Sequence, residues 1–333
     1  MPLRRGRAGG RSQHARATSL IPRLLQGRAT RAATERHAAE AGLAPGHFSD
    51  LPGSRLRLSS LGLGTLGGGA PGVVAAALRA GLNVIDGAVH YRNLEGIGEG
   101  LRASGVPREA MFVAVKGGLA LDGEDGEIEQ ARAALGLETL DAFVVDAPER
   151  HVPALGKEAM HDRLRATFAR LERAREDGRI GCYGIATFDA LRVETDAPLF
   201  QSLAALRGLG GKGLELVQLP FNPAMTEGLA RFSQATGMGN VASALQAARQ
   251  LGFWCMASHA LGKGGFATHD PLAAQLPALA NPAQRALQFA RSTPGVAVAL
   301  AGASSLAHLA DLLAVARVAP VGKDEYSGWY RRA

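Results

Sequence analysis

The chain has 333 residues, of which 47% are hydrophobic and 20% charged. That is enough to bury one large core, and it suits a single α/β domain. No apolar run reaches the ~20 residues that a membrane span needs, so no membrane partner is expected.

The formal charge of +7 is concentrated at one end: residues 1–34 hold eight arginines and no acid, and the remainder is nearly neutral. An Arg-rich leader without interleaved aromatics reads as a flexible extension over residues 1–45, not as an arm for nucleic acid. Cys182 and Cys255 both fall in predicted core strands. Two buried thiols give no disulfide framework and point to a reducing, cytoplasmic setting. No zinc-ligand spacing is present, so no metal is expected.

Taken in order, Arg31 to Ala41 has helical composition, and Gly46 and Pro52-Gly53 then break the chain. Arg55 to Ser59 alternates as a short strand would. From Leu61 onward, short apolar runs alternate with longer Ala/Leu/Arg stretches. Eight strands are predicted: Leu61–Leu66, Asn83–Ala88, Met111–Lys116, Leu140–Ala147, Ile180–Ala186, Leu214–Asn222, Phe253–Ser258 and Val296–Gly302. Helices are predicted near 71–80, 94–103, 127–136, 157–177, 197–207, 239–251, 282–292 and 305–316. Near-continuous apolar strands imply burial on both faces. Eight strands, each followed by a helix, fit a closed (β/α)₈ TIM barrel over 55–318, with a tail at 319–333. The competitor is an open, doubly wound sheet. It wants a G-x-G-x-x-G turn after its first strand, and GLGTLGGGAPG at 62–72 lacks that spacing.

In a barrel, chemistry gathers where strands end. Those ends carry Asp86 with Tyr91 in the following loop, then Lys116, Asp146, Ala186-Thr187, Gln218, Ser258-His259 and Gly302. A charge embedded in an apolar strand is costly unless paired. Lys116 near Tyr91 favours the phenolate and lowers the tyrosine pKa, and a carboxylate beside the lysine holds it charged. The result is a tyrosine able to exchange a proton near neutral pH.

GLGT at 62–65, RAGLNVIDGAVHYRN at 79–93, FVAVK at 112–116, VVDAPE at 144–149, GRIGCYGIATF at 178–188, VQLPFN at 217–222 and STPGVAVALAGASS at 292–305 follow one another in order. In these motifs the chain resembles an aldo-keto reductase over roughly 55–318. The resemblance implies carbonyl reduction with NADP(H) or NAD(H) and no metal. It implies Tyr91 as general acid, Lys116 as its activator and Asp86 as the anchor of the lysine. At the strand-four position, where the family usually has histidine, this chain has Asp146. A family branch with glutamate there reduces conjugated enones, so an enone is the second expected substrate class.

For the cofactor, the resemblance implies Thr187 and Gln218 at the carboxamide and Lys263 in a diphosphate loop running from His259 to Phe266. Ser258 stands where a stacking ring is usual. Ser304 stands where an arginine clamps the 2′-phosphate, and Leu312 where an asparagine meets the adenine. Trp254, on strand seven, is expected beside the nicotinamide. Loops 119–127 and 223–238 are candidates to shape the pocket, with Phe221, Met225, Met238 and Phe266 as a candidate apolar wall. Trp329 and Tyr330 are placed either over the barrel mouth or free. Two alternatives stand beside the reductase: an impaired barrel serving as a binding or scaffold protein, and proton-transfer chemistry without a cofactor.

Overall fold

The computed structural model describes residues 24–119, 124–236, 239–267 and 270–330. Eight parallel strands close into a barrel: β1 (Leu61–Gly64), β2 (Val84–Ala88), β3 (Phe112–Gly117), β4 (Leu140–Asp146), β5 (Ile180–Ala186), β6 (Leu214–Pro220), β7 (Trp254–Ser258) and β8 (Val296–Gly302). Each strand pairs with its neighbours in sequence, and β8 returns to β1 through Ala299↔Leu61 to Gly302↔Gly64. The open-sheet competitor is thereby excluded.

Alternation explains why the strands read as continuous apolar runs. Val84, Phe112, Ala114, Ala142, Val144, Leu216, Trp254, Met256, Val298 and Leu300 fill the barrel interior. Their odd-numbered neighbours, such as Ile85, Val113, Val115, Phe143 and Val145, pack outward under the helices. Both sets are buried, one inside the barrel and one beneath the helix layer. Gly62 is required by this packing. A Cβ there would lie 2.8 Å from Leu300 and 3.1 Å from both Val298 and Val84.

The inward rows also decide where polar groups go. Asp86, Lys116, Asp146, Gln218 and Ser258 share the inward parity of the core residues below them and sit at the C-terminal ends of their strands. The rows are apolar at depth and become polar at the mouth.

Helices follow at Pro71–Arg79, Leu94–Ala103, Glu124–Leu135, Lys157–Glu176, Leu203–Leu209, Ala244–Gln250, Pro282–Ser292 and Leu306–Ala316. The 20-residue helix Lys157–Glu176 buries Met160, Leu164, Phe168, Leu171 and Ala174 on one stripe. Two predicted helices are displaced. The one expected at 197–207 starts only at Leu203, where Ser202 caps it by accepting from Ala205 N–H. The one expected at 239–251 starts at Ala244, after a Ser243/Gln246 capping box. The residues before it, Val241–Ser243, pair instead with Phe232–Ala235 in a hairpin.

The expected flexible extension over 1–45 is corrected for residues 24–45. Thr30 caps the helix Arg31–Glu40, and the Ala29 N–H donates to the Asp141 carboxylate at 2.7 Å. The hairpin Phe48–Asp50/Arg57–Ser59 follows, and Leu51, Leu56 and Leu58 join the interior cluster as a floor under the barrel. The alternating Arg55–Ser59 run supplies its second strand. Residues 1–23 lie outside the described residues.

The tail forms a helix, Lys323–Tyr330, that packs on Pro282–Ser292. The Tyr326 hydroxyl meets Thr293 Oγ1 at 2.6 Å, and the Trp329 ring stacks on Phe289. No helix among the described residues is long and apolar enough to cross a membrane.

Candidate active site

The strand ends surround a cavity of about 440 Å³. At its floor, Lys116 Nζ donates to Asp86 Oδ2, and both side chains are about 5% exposed. Gln218 Nε2 donates to the other oxygen, Asp86 Oδ1, at 3.2 Å. The carboxylate is therefore held from two sides. The loop after β1 is tied to the same strand, because both N–H and Oγ1 of Thr65 donate to the Asp86 carbonyl at 3.0 Å.

Tyr91 sits on a single 3₁₀ turn, Val89–Tyr91, that starts as β2 ends. Arg92, in the left-handed region at φ 56°, closes that turn. The turn carries the tyrosine back over the strand end, so that Lys116 Nζ lies 5.4 Å from its ring centre. Asn93 then donates to the carbonyls of Thr65 and Gly68 at 2.8 and 2.9 Å, which joins the loops after β1 and β2.

The electrostatics differ from the sequence expectation. Burial holds the Tyr91 hydroxyl above the usual phenol range. Lys116 pulls it down, as expected, but Asp86 and Asp146 push it back up. The residue is a protonated phenol, not a near-neutral phenolate. Burial is the largest influence and penalises the Lys116 ammonium, but Asp86, Tyr91 and Asp146 together more than offset it and the group sits above its usual range.

Asp146 ends β4 in register with Ala186. Ala147 takes the left-handed conformation (φ 45°) and donates to the Ala186 carbonyl at 2.7 Å, which turns the chain sharply behind the carboxylate. Asp146 remains 28% exposed and lies 3.9 Å from His90 Nε2. On the adjoining strand end, next to Ala186, Thr187 Oγ1 is buried and has no hydrogen-bond partner. His259 Nδ1 meets Ser258 Oγ at 3.2 Å. Burial and the neighbouring cations Lys263, Arg192, Lys116 and Arg150 lower the His259 pKa, so the ring is neutral at pH 7. His259 and Lys263 both have φ 54°. Strained left-handed residues thus border the cavity at Ala147, His259 and Lys263, a cost that packed surroundings must sustain.

Of the sequence-predicted residues, Asp86, Tyr91, Lys116, Asp146, Thr187, Gln218, Ser258, His259 and Lys263 all line this cavity. Ser304 does not. Its hydroxyl pairs with His308 Nδ1 at 3.0 Å on the exposed start of the last barrel helix, while Ser305 provides the cap. Trp254 is also corrected: it opens β7 deep in the barrel, edge-on to Phe112, four residues below Ser258. Phe221, Met225 and Phe266 are absent from the lining, and Met238 lies outside the described residues. The apolar wall is made by Leu66, Phe188, Leu261 and Leu300. Sequence reading missed His90, Arg150 and Phe188. The only available signal was the adjacency of His90 to Tyr91 and of Arg150 to the strand-four end.

A smaller cavity of about 230 Å³ adjoins the first through Leu261, Gly264 and Gly302. Its lining holds Gln284, His308, Asp311 and Leu312 and no Lys or Arg. Asn281 and Gln284 both donate to Asp311 Oδ1 at 2.9 Å. No group of three potential metal-ligating side chains occurs among the described residues.

Residues 69–330 match the profile described as the aldo/keto reductase family. The chain belongs to that family. Among curated aldo-keto reductases and relatives, one from Mycolicibacterium paratuberculosis is 35% identical over 118 residues, 34% of this chain and 38% of that protein. The glyoxal reductase of Bacillus subtilis is 36% identical over 123 residues, 36% of this chain and 41% of its own length. The match thus spans less than half the length of these relatives. Among solved structures, an aldo/keto reductase from Klebsiella pneumoniae in complex with NADP and acetate superposes with a TM-score of 0.62 at 20% identity, covering 84% of this chain and 93% of that one. One from Brucella melitensis gives 0.64 at 19%, covering 85% and 98%. These likenesses establish the shared barrel.

Proposed function

We propose that this aldo-keto reductase family member is a nicotinamide-nucleotide-dependent oxidoreductase that reduces a small carbonyl compound, with Tyr91 as proton donor. The observation that carries this reading is the buried Asp86–Lys116 pair beneath a protonated Tyr91 at the floor of an open cavity. Asp86, itself held by Gln218, fixes the ammonium, and the ammonium stabilises the phenolate left when Tyr91 gives up its proton. A bound nucleotide would supply hydride to the carbonyl carbon.

Residues fit for that nucleotide are present. Thr187 Oγ1, buried and unpartnered, faces the wall where the carboxamide would rest beside Gln218. Lys263, at the junction with the smaller cavity, would meet a diphosphate. The smaller cavity suits a ribose and adenine, but it offers Asp311 rather than a cation. A carboxylate accepts ribose hydroxyls and repels a 2′-phosphate. We therefore assign NAD(H) as the preferred form over NADP(H), although the Klebsiella relative was solved with NADP. The glyoxal reductase relative supports a small, reactive carbonyl as substrate class. The surroundings of Asp146 favour a carbonyl over an enone. A neutral acid acting as donor needs a sealed apolar site, and Asp146 stands at an open rim beside an imidazole.

Titration with NADH and NADPH, followed by nucleotide fluorescence, tests the reading. NADH is expected to bind at least about tenfold tighter, the equivalent of one missing charged hydrogen bond on the phosphate. Consumption of the bound nucleotide with glyoxal or a simple aldehyde should follow. Absence of binding at millimolar nucleotide overturns the proposal and leaves the scaffold reading. Proton exchange without nucleotide would establish the cofactor-free one.

A further inference from the structure

We propose that His90 is a catalytic residue that receives the developing oxyanion, and that Asp146 is a positioning residue acting through it. The inference rests on the carbonyl reduction proposed above.

When hydride reaches a carbonyl carbon, the carbon–oxygen π pair moves onto oxygen. That oxygen needs a hydrogen-bond donor besides Tyr91, placed in advance. Several donors around the cavity are committed elsewhere. Lys116 is paired with Asp86, Gln218 Nε2 donates to the same carboxylate, and His259 meets Ser258 on the far wall. Asp146 by itself would repel the oxyanion.

His90 resolves this conflict. It occupies the same 3₁₀ turn as Tyr91, so one rigid turn fixes the spacing between imidazole and phenol. The two rings pack edge-on, with centres 4.7 Å apart and planes at 79°. On its other side, His90 Nε2 lies 3.9 Å from Asp146 Oδ2. That is longer than a hydrogen bond. His90 is 58% exposed, and its ring can swing the remaining ångström when substrate displaces water. Catalytic contacts are often long in the free enzyme and tighten on binding.

Asp146 is the fixed member of the pair. It ends a barrel strand and is held by the β4–β5 register and the sharp turn at Ala147. With Nε2 turned to that carboxylate, Nδ1 is the ring nitrogen left to face the substrate oxygen. A hydrogen-bond donor lying between that carboxylate and the developing oxyanion also keeps the two apart. In the balanced step, hydride forms the new C–H bond and the Tyr91 proton goes to the oxygen. A phenolate remains beside Lys116, and His90 lends an N–H without losing it. The hydride is the reductant, supplied by the reduced nucleotide.

The test compares wild type, His90→Ala, Asp146→Asn, the double variant, and His90→Ala combined with Asp146→His. Readouts are kcat and KM with glyoxal, NADH affinity by fluorescence, and melting temperature. Both side chains are partly exposed, so the variants are expected to melt like wild type and bind NADH within about twofold, since neither change removes a packed core group. His90→Ala should lower kcat about 10²-fold, the usual loss for one oxyanion donor. Asp146→Asn should lower it about tenfold, and the double variant should be no slower than His90→Ala alone, because the second residue acts through the first. Asp146→His in the His90→Ala background returns an imidazole to the same wall and should recover at least about tenfold of that loss. A His90→Ala enzyme with wild-type kcat, or additive losses in the double variant, overturns this inference while leaving the reductase reading intact. A wild type that binds no nucleotide overturns both.

Discussion

At the scale of single residues, the site is governed by one buried ion pair and one phenol. Tyr91→Phe keeps the ring, its packing and the nucleotide wall, and removes only the proton. Turnover should fall by about 10²–10⁴-fold, with NADH affinity nearly unchanged in a fluorescence titration. A rate close to wild type would remove Tyr91 from the mechanism. The pH profile follows from the direction of the Tyr91 shift. The active form is protonated, and its pKa lies above the ordinary 10.0, so reduction should persist through neutral pH and decline only above about pH 10. The Lys116 pair runs the same way. Its folded pKa exceeds the usual 10.5, so its contribution to stability is complete below that value and is lost as pH climbs through the raised one. The convergence of Asp86, Lys116, Asp146, Gln218 and Ser258 was legible because inward parity at a strand end can be counted from sequence. The sign of the Tyr91 shift was not, because desolvation depends on how deeply a loop residue is covered. Nor was His90 visible, since a histidine on a one-turn loop belongs to no periodic pattern.

At the scale of elements, loops held by long-range acceptors set the cavity wall. Glu149 lies on the turn after β4 and is buried, and its Oε1 accepts the N–H groups of Phe188 and Asp189 at 2.7 and 3.3 Å. It thereby pins the segment carrying Thr187 and Phe188, which line the cavity. Burial raises the Glu149 pKa, a cost the structure accepts to hold that loop. Glu149→Ala leaves the Phe188 N–H without its acceptor. It should destabilise the protein by about 1–3 kcal/mol in denaturant unfolding and weaken NADH binding several-fold, with little change in kcat at saturation. The contact joins residues 39 apart, so sequence alone gave no sign of it. The same limit applies to the misplaced helices. Helical composition runs through 197–207 and 239–251, but the Ser202 cap and the hairpin pairing of Val241–Ser243 decide where each helix begins. The strands were predicted within two residues, because each is bounded by turn residues and buried on both sides.

At the scale of the molecule, the barrel is open and polar at one end and stoppered at the other. The stopper includes a segment that composition assigned to a flexible extension. Arginine without acid looks unpartnered when neighbours in sequence are counted, but here the partners come from far along the chain. Gly27 N–H donates to Glu138, Ala29 N–H to Asp141, and Arg28 interacts with Glu215. Asp141 is the centre of this arrangement. Its carboxylate also accepts from Val113 N–H at 2.8 Å and pairs with Arg108 at 2.7 Å, both side chains 2% exposed. Thr34 Oγ1 accepts from Arg57 N–H and so ties the helix Arg31–Glu40 to the floor hairpin. Removing the segment would uncover Leu56 and Leu58 and take one of three buried partners from Asp141. A chain begun at Leu24 should therefore outlast one begun at Gly46 in a thermal melt. A loss of 2 kcal/mol in a domain of this size corresponds to a drop of roughly 5 °C, and the truncated floor should cost at least that. Equal melting temperatures would make the segment a surface appendage and leave the floor to the hairpin alone.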